Sequence, residues 1–266
     1  MPRVTDQAYL QSEQYKTPAN LTRRADLHRR FSTNPYPWLR WVFDQLALRP
    51  GERALEAGCG PGWLWGENAD RLPAGLRVAC GDFSMGMARE ARGRLRDAPG
   101  FGAYNADVQA LPFAEATFEV AIANHMLYHV PDLGRAVQEL ARVLRPGGRL
   151  YAATNGPAHL RELYELAAGY APWHGQGEAL FSFRLDNAAE VLAEQFGRVE
   201  VRHYADALWV TDAHPVVDYL TSMSSFPDLA ASIDPAELLA AVQARMDAEG
   251  GLRITKEAGL ALAWKE

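Results

Sequence analysis

Only two cysteines, Cys59 and Cys80, occur in 266 residues, too few for a disulfide framework and not spaced as a CxxC metal pair, which points to a reducing compartment. Long apolar runs are missing too: none approaches the ~18 residues that cross a bilayer. Met1-Pro2-Arg3-Val4-Thr5-Asp6-Gln7 lacks the apolar core of a signal peptide, so a cytoplasmic protein with no membrane partner is expected. Positive charge is short: 27 Lys and Arg stand against 33 Asp and Glu, a formal −6. No global field gathers phosphate backbones, and a nucleic-acid partner is disfavoured. Internal repeats and low-complexity tracts are absent. What is present, 48% hydrophobic and 23% charged residues with 22 Gly and 16 Pro, excludes collagen-like, coiled-coil and disordered classes. At ~150 residues per domain the length suits two domains, or one carrying an insertion.

Hydrophobic period divides the chain into three zones. Residues 1–50 are polar-rich and helical in pattern, with Asn20 expected to N-cap Leu21 to Phe31, and Pro37 opening a stretch that holds Trp38, Trp41 and Phe43. Residues 51–155 alternate short apolar runs with amphipathic segments. Arg53 to Ala57, Leu76 to Gly81, Gly102 to Ala106, Phe118 to Asn124 and Arg149 to Thr154 read as strands buried on both faces. Between them Leu133, Ala136, Val137, Leu140 and Leu144 form a helical stripe, capped by Asp132 and stopped by Pro146-Gly147-Gly148. This alternation predicts a parallel sheet with helices on its faces. The last zone reads as helix (Pro157 to Tyr170), aromatic loop (Trp173, His174), helix (Asn187 to Phe196) and strand (Val199 to Tyr204, continued by Ala207 to Val210). Two further helices, Pro215 to Met223 and Pro235 to Ala248, precede a terminal hairpin in which Leu252 to Thr255 and Leu260 to Trp264 flank Glu257-Ala258-Gly259.

The most informative segment is Glu56-Ala57-Gly58-Cys59-Gly60-Pro61-Gly62, between a strand and a helix pattern. Glycines there let backbone amides approach a ligand closely. Dinucleotide binders use GxGxxG, whereas this run is GxGxG with Trp63 where the third glycine would fall, which weakens a nicotinamide or flavin reading. Asp82 follows Gly62 by 20 residues, at the end of the second strand, where a ribose would be reached.

The segment resembles the class I S-adenosylmethionine-dependent methyltransferases, in particular the small-molecule branch that includes the ubiquinone and menaquinone C-methylases. Four matches carry the resemblance between about Leu55 and Leu150: Glu56 to Gly62; Asp82-Phe83-Ser84; Asp107-Val108-Gln109-Ala110-Leu111-Pro112-Phe113; and Arg142-Val143-Leu144-Arg145-Pro146-Gly147-Gly148. It implies an α/β fold, a Rossmann-like doubly wound sheet with an N-terminal helical lid over residues 1–50. A methyltransferase domain over 51–266 would carry helical cap insertions at about 156–186 and 213–250. It implies S-adenosyl-L-methionine as cofactor: Gly58 and Gly60 under its methionine part, Glu56 propping the loop, and Asp82 on the ribose hydroxyls. Phe83 would lie against the adenine, Asp107 and Val108 at its edge, and Asn124 would offer a backbone carbonyl. Asp82 and Asp107 can equally be turn or helix caps. A lid Tyr15 and Arg24 would reach the cofactor carboxylate. Tyr15 is also a candidate at the reacting centre, since aromatic faces favour a sulfonium cation; Tyr9, Phe31 and Tyr36 share that property. Arg23, Arg29 and Arg30 read as a solvated face.

His125 and His129 are four apart, which invites a metal, but Met126 stands where HExxH needs Glu and no third ligand is evident, so none is expected. His129 suits a hydrogen-bonded role beneath the pocket. His125 is the candidate to face the acceptor, as general base or as pocket wall. Trp38, Trp41, Phe43, Trp63 and Trp65 read as core. Trp173, His174, Phe181 and Phe183, with Tyr219 to Phe226, would wall an apolar pocket for a small acceptor methylated at O, N or C. The alternatives are an RNA methyltransferase, a nicotinamide oxidoreductase and a non-catalytic binding module. The second is opposed by the lack of a Tyr-x-x-x-Lys pair: Ala168 follows Tyr164. Monomer and homodimer both stay open.

Overall fold

Five runs give the sheet its parallel part, four of them largely buried and the edge run Phe101–Asn105 exposed at its end. β1 (Arg53–Ala57), β2 (Arg77–Asp82), β3 (Phe101–Asn105), β4 (Phe118–Asn124) and β5 (Leu144–Asn155) all run the same way. β6 (Arg198–Val210) shares their direction, and β7 (Leu252–Trp264) runs against its neighbours β5 and β6. The order is β3-β2-β1-β4-β5-β7-β6 in the computed structural model, which describes residues 3–169, 182–222 and 234–266. The predicted strands and the doubly wound arrangement are thus present. No helix among the described residues is long and apolar enough to cross a membrane.

Helices cover both faces. On one, α3 (Trp38–Leu46), α4 (Trp63–Glu67) and α5 (Met85–Leu95) pack Val42, Leu46, Trp65 and Ala91 over Val78, Val120 and Ile122. On the other, α6 (Leu133–Val143) and α8 (Ala188–Ala193) set Val137, Leu140 and Leu192 against Leu55, Ala121 and Ala152. Asp132 caps α6 as predicted, accepting from the Arg135 amide at 3.0 Å. A third apolar group joins α2 (Ala19–Phe31), α7 (Arg161–Ala168), α9 (His214–Thr221) and α10 (Pro235–Glu249) over the outer half of β6 and β7, through Leu27, Leu163, Leu220, Val242 and Leu208.

The structure corrects several boundaries. Asn20 is inside α2, whose cap position is Pro18; its side chain instead donates to the Gln14 carbonyl at 3.4 Å. Pro146-Gly147-Gly148 does not follow a helix ending at Leu144 but lies within β5, where the register with β4 shifts. The terminal hairpin does not form. Glu257, Ala258 and Gly259 pair with Ala205, Tyr204 and His203, so β7 is one continuous strand claimed by partners on both sides, and turn-like composition loses to two ladders of hydrogen bonds. The aromatic loop with Trp173 and His174, Phe181, and the end of the helix expected through Met223 to Phe226 lie outside the described residues.

Candidate functional site

In a doubly wound sheet ligands gather at the carboxyl ends of the strands, and here β1, β2, β3 and β4 lead into the sequence-selected residues at that edge. Leaving β1, the chain passes Gly58, Gly60 and Gly62 with φ of +68°, +53° and +73°. At Gly58 both backbone and space demand glycine, because an added Cβ would stand 2.7 Å from the Cβ of Met126. The turn is pinned from β2: the Gly60 amide donates to Asp82 Oδ2 and the Ser84 amide to Oδ1, both at 2.8 Å. Burial pushes the Asp82 carboxyl up to about 6 against these two bonds.

Glu56 is sealed one residue inside the turn. It accepts from Trp65 Nε1 at 2.6 Å and is bonded to the Asn124 side chain. Burial raises its carboxyl to about 8, so it is protonated at neutral pH. Asn124 Oδ1 is buried without a partner among the described residues.

The N-terminal segment lies across this edge. Ser84, the cap of α5, donates its hydroxyl to the Tyr15 carbonyl at 2.7 Å, and Gln11 Nε2 donates to the Phe83 carbonyl at 3.1 Å. Close approach makes a second glycine mandatory: a Cβ on Gly86 would sit 2.0 Å from the Lys16 carbonyl oxygen. Ser84 and Gly86 were not selected from the sequence as ligands or latches, since nothing local marks a long-range backbone contact.

Tyr15, Arg24 and His129 come together. His129 Nδ1 faces the Val4 carbonyl at 2.8 Å and therefore carries the proton, so Nε2 accepts from the Tyr15 hydroxyl at 2.9 Å. Arg24 in turn donates to that hydroxyl at 3.3 Å and to the Ser222 carbonyl at 3.4 Å. Burial lowers His129 to about 4. Arg24 has no carboxylate partner among the described residues, unlike Arg29 and Arg30, which pair with Asp26 and Asp212 on the exposed side.

His125 follows Asn124 with φ of +51°, an uncommon left-handed conformation, and its amide donates to the Ala153 carbonyl. Burial, with the charge of Lys256, lowers its imidazole to about 4. Trp38, expected in the core, is half-buried against it and also packs 5.3 Å from the His125 ring and 5.2 Å from Tyr204. Trp65 and Phe43 are core as expected, and Trp41 is only half-buried.

The chain after β3 carries two more of the selected residues. Val108 is buried in the core, and Asp107 caps the turn Val108–Ala110, accepting from the Gln109 amide at 2.9 Å and from its side chain at 3.1 Å. Phe83 is half-buried at the rim. Of the lid aromatics, Phe31 is in the outer core and Tyr36 is exposed, its hydroxyl on Asp44 at 2.5 Å. Among the described residues no group of three His, Cys, Asp or Glu side chains is arranged to hold a metal.

Residues 55–152 match a family described as a methyltransferase domain. Demethylmenaquinone methyltransferase of Beutenbergia cavernae is 36% identical over 116 residues, 44% of this chain and 46% of that protein. Malonyl-[acyl-carrier protein] O-methyltransferase of Pseudescherichia vulneris is 36% identical over 155 residues, 57% of either chain. This chain therefore spans about half the length of these curated relatives. Phosphoethanolamine N-methyltransferase 2 of Haemonchus contortus, in complex with S-adenosyl-L-methionine, superposes with a TM-score of 0.60 at 16% identity, over 97% of this chain and 59% of that one. That likeness shows the fold, a Rossmann-like sheet of the class I methyltransferase type.

Proposed function

We propose that this chain, which carries a methyltransferase domain over residues 55–152, transfers a methyl group from S-adenosyl-L-methionine to a small organic acceptor. The observation that carries the reading is the Gly58–Gly62 turn tied by its Gly60 amide to Asp82, within the matched residues. The chemistry of the remaining donors fits the cofactor. Arg24, steadied by the Tyr15 hydroxyl whose proton goes to His129, offers a cationic, hydrogen-bonding seat for its carboxylate, and the Asn124 Oδ1, orphaned among the described residues, suits an ammonium. Each Asp82 oxygen accepts one amide and retains capacity for ribose hydroxyls. Phe83 at the rim, Asp107 and Val108 would border the adenine. When bound, the sulfonium supplies an activated methyl group and a good leaving group.

The protein's part is positioning and exclusion of water. His129 holds Tyr15 by its hydroxyl, and Tyr15 holds Arg24. His125, which burial keeps neutral at physiological pH, would accept a proton from the acceptor. Residues 1–50 would serve as the lid over this site, and segments within 156–186 and 213–250 as its cap. The acidic balance of the chain supports a small acceptor over RNA, and a cytoplasmic, metal-free enzyme is our reading. Calorimetric titration with S-adenosylhomocysteine, with NADH and NADPH as controls, tests it: binding of the first alone is expected, and binding of a nicotinamide alone, or of none, sinks it.

A further inference from the structure

Beyond the residues assigned to the cofactor, the same edge holds a second group of buried basic side chains. His28 lies one helical turn after Arg24, and its Nδ1 is buried with no hydrogen-bond partner among the described residues. Its ring stacks on that of His159 at 6.0 Å and 22°, with Tyr219 edge-on at 5.8 Å. The Glu257 amide donates to His159 Nδ1 at 3.2 Å, which puts the imidazole proton on Nε2. Lys256 sits between Asp206, at 2.5 Å, and the face of Tyr204, with side-chain exposures of 7% and 0% for the ion pair. Burial and the positive field of Lys256 hold His28 down at about 3 and His159 well below the usual range. His125 and Arg24 also act on His28.

We propose that the His28–His159 pair, in the field of Lys256, docks an acidic oxygen of the methyl acceptor, a carboxyl, phenol or enol bound as its anion. This rests on the methyl-transfer reading of the site. An unpartnered buried nitrogen costs ~1–3 kcal/mol, which a bound hydrogen-bonding group recovers. The neighbouring carboxylates decide the sign of that group. Asp206 is taken by Lys256, Ser32 and the Asn34 amide, Glu162 by Thr255, and Glu257 by the Ala158 amide. An ammonium would meet only cations, dipoles and engaged acids there, whereas an anion meets His159 Nε2–H, the Lys256 field and, at His28, an imidazole whose protonation the anion's own charge favours against the burial that otherwise holds it down. A neutral acid binds by breaking its O–H bond and forming N–H at His28 Nδ1. An acid already ionised draws that proton from solvent.

The test titrates the chain loaded with S-adenosylhomocysteine at about pH 7 with benzoate against benzamide, and with 4-nitrophenol against 4-nitroaniline. At least one acid should bind about tenfold or more tightly than its neutral counterpart, a margin of ~1.4 kcal/mol. The benzoate arm identifies carboxyl recognition and the nitrophenol arm phenol recognition. Benzoate binding should take up close to one proton, read from the buffer dependence of the heat. His28→Asn and His159→Asn, made separately and checked for folding by retained S-adenosylhomocysteine binding, should each bring the preference below about threefold. Equal binding of acids and neutral analogues, tighter binding of benzylamine, or a preference unchanged in a folded variant overturns the proposal. Failure of S-adenosylhomocysteine to bind the parent counts against the methyl-transfer reading alone, because the same probes titrated into the cofactor-free chain still decide the acid preference.

Discussion

A carboxyl that must fold in its protonated form makes stability depend on pH, and Glu56 is such a group. It is 2% exposed, and burial raises it from 4.5 to about 8. Between those values the unfolded chain releases a proton that the folded chain keeps, so stability falls as pH rises, by up to ~1.4 kcal/mol per unit. Glu56→Gln keeps the shape and a Trp65 acceptor while removing the titration. The variant should match the parent near pH 5 and become the more stable of the two by pH 8 in urea melts; parallel pH profiles would refute the assignment. His125 invites the opposite kind of experiment, since its ring packs beside Trp38 and no described residue depends on a hydrogen bond from it. Its left-handed backbone favours Asn as the replacement. With a labelled methyl donor and an acceptor found by screening, His125→Asn should cut kcat by ~100-fold or more if the imidazole takes the proton, with S-adenosylhomocysteine affinity nearly unchanged. Parent activity should stay level from pH 8 down to pH 6, because an imidazole at about 4 remains neutral throughout. Equal turnover in variant and parent leaves His125 as pocket wall.

At the scale of elements, the contact between the N-terminal segment and α5 decides whether Tyr15 and Arg24 belong to the site at all. Gly86→Ala directs a methyl group at the Lys16 carbonyl, a backbone atom that can yield only by moving the segment. S-adenosylhomocysteine should bind about tenfold or more weakly, with faster proteolysis around Tyr15-Lys16 and an unchanged sheet by circular dichroism. Unaltered affinity would show that the segment does not hold the ligand. This contact also marks the limit of what the sequence discloses. The strands of the parallel half were legible because each is a short apolar run bounded by turn residues, and the glycine turn because its spacing is itself the geometry. β7 was misread as a hairpin because Glu257-Ala258-Gly259 looks like a turn when its two neighbours in the sheet are unknown. Arg24 could not be told from Arg23, Arg29 and Arg30 by composition, since its difference is three-dimensional: it turns inward onto the Tyr15 hydroxyl and the Ser222 carbonyl, whereas Arg23 is exposed and Arg29 and Arg30 pair with acids. Lys256, Asp206 and His159 come from segments that carry no motif; the pairing of β6 with β7 joins the first two, and the bond from the Glu257 amide brings His159 beside them.

For the molecule as a whole, the apolar groups that hold the sheet are separate from the segment that completes the site. The three core clusters draw on residues from Leu27 onward, and neither Val4 nor Leu10, though buried, belongs to them. Ligand affinity and global stability should therefore separate on truncation. At ~100 times its dissociation constant a ligand adds about 2.7 kcal/mol, which for a chain of this size raises Tm by ~5–10 °C. Removing residues 1–16 takes away Tyr15, the Val4 carbonyl and the latch on Ser84, and exposes His129 to water that can satisfy its ring. The truncated chain alone should melt within ~5 °C of the parent, since no cluster is opened. With S-adenosylhomocysteine its Tm should rise by less than ~2 °C. A collapse of the ligand-free Tm would instead make the segment part of the core, and a full ligand shift without it would place the cofactor contacts wholly on the sheet edge formed by Gly58, Gly60 and Asp82.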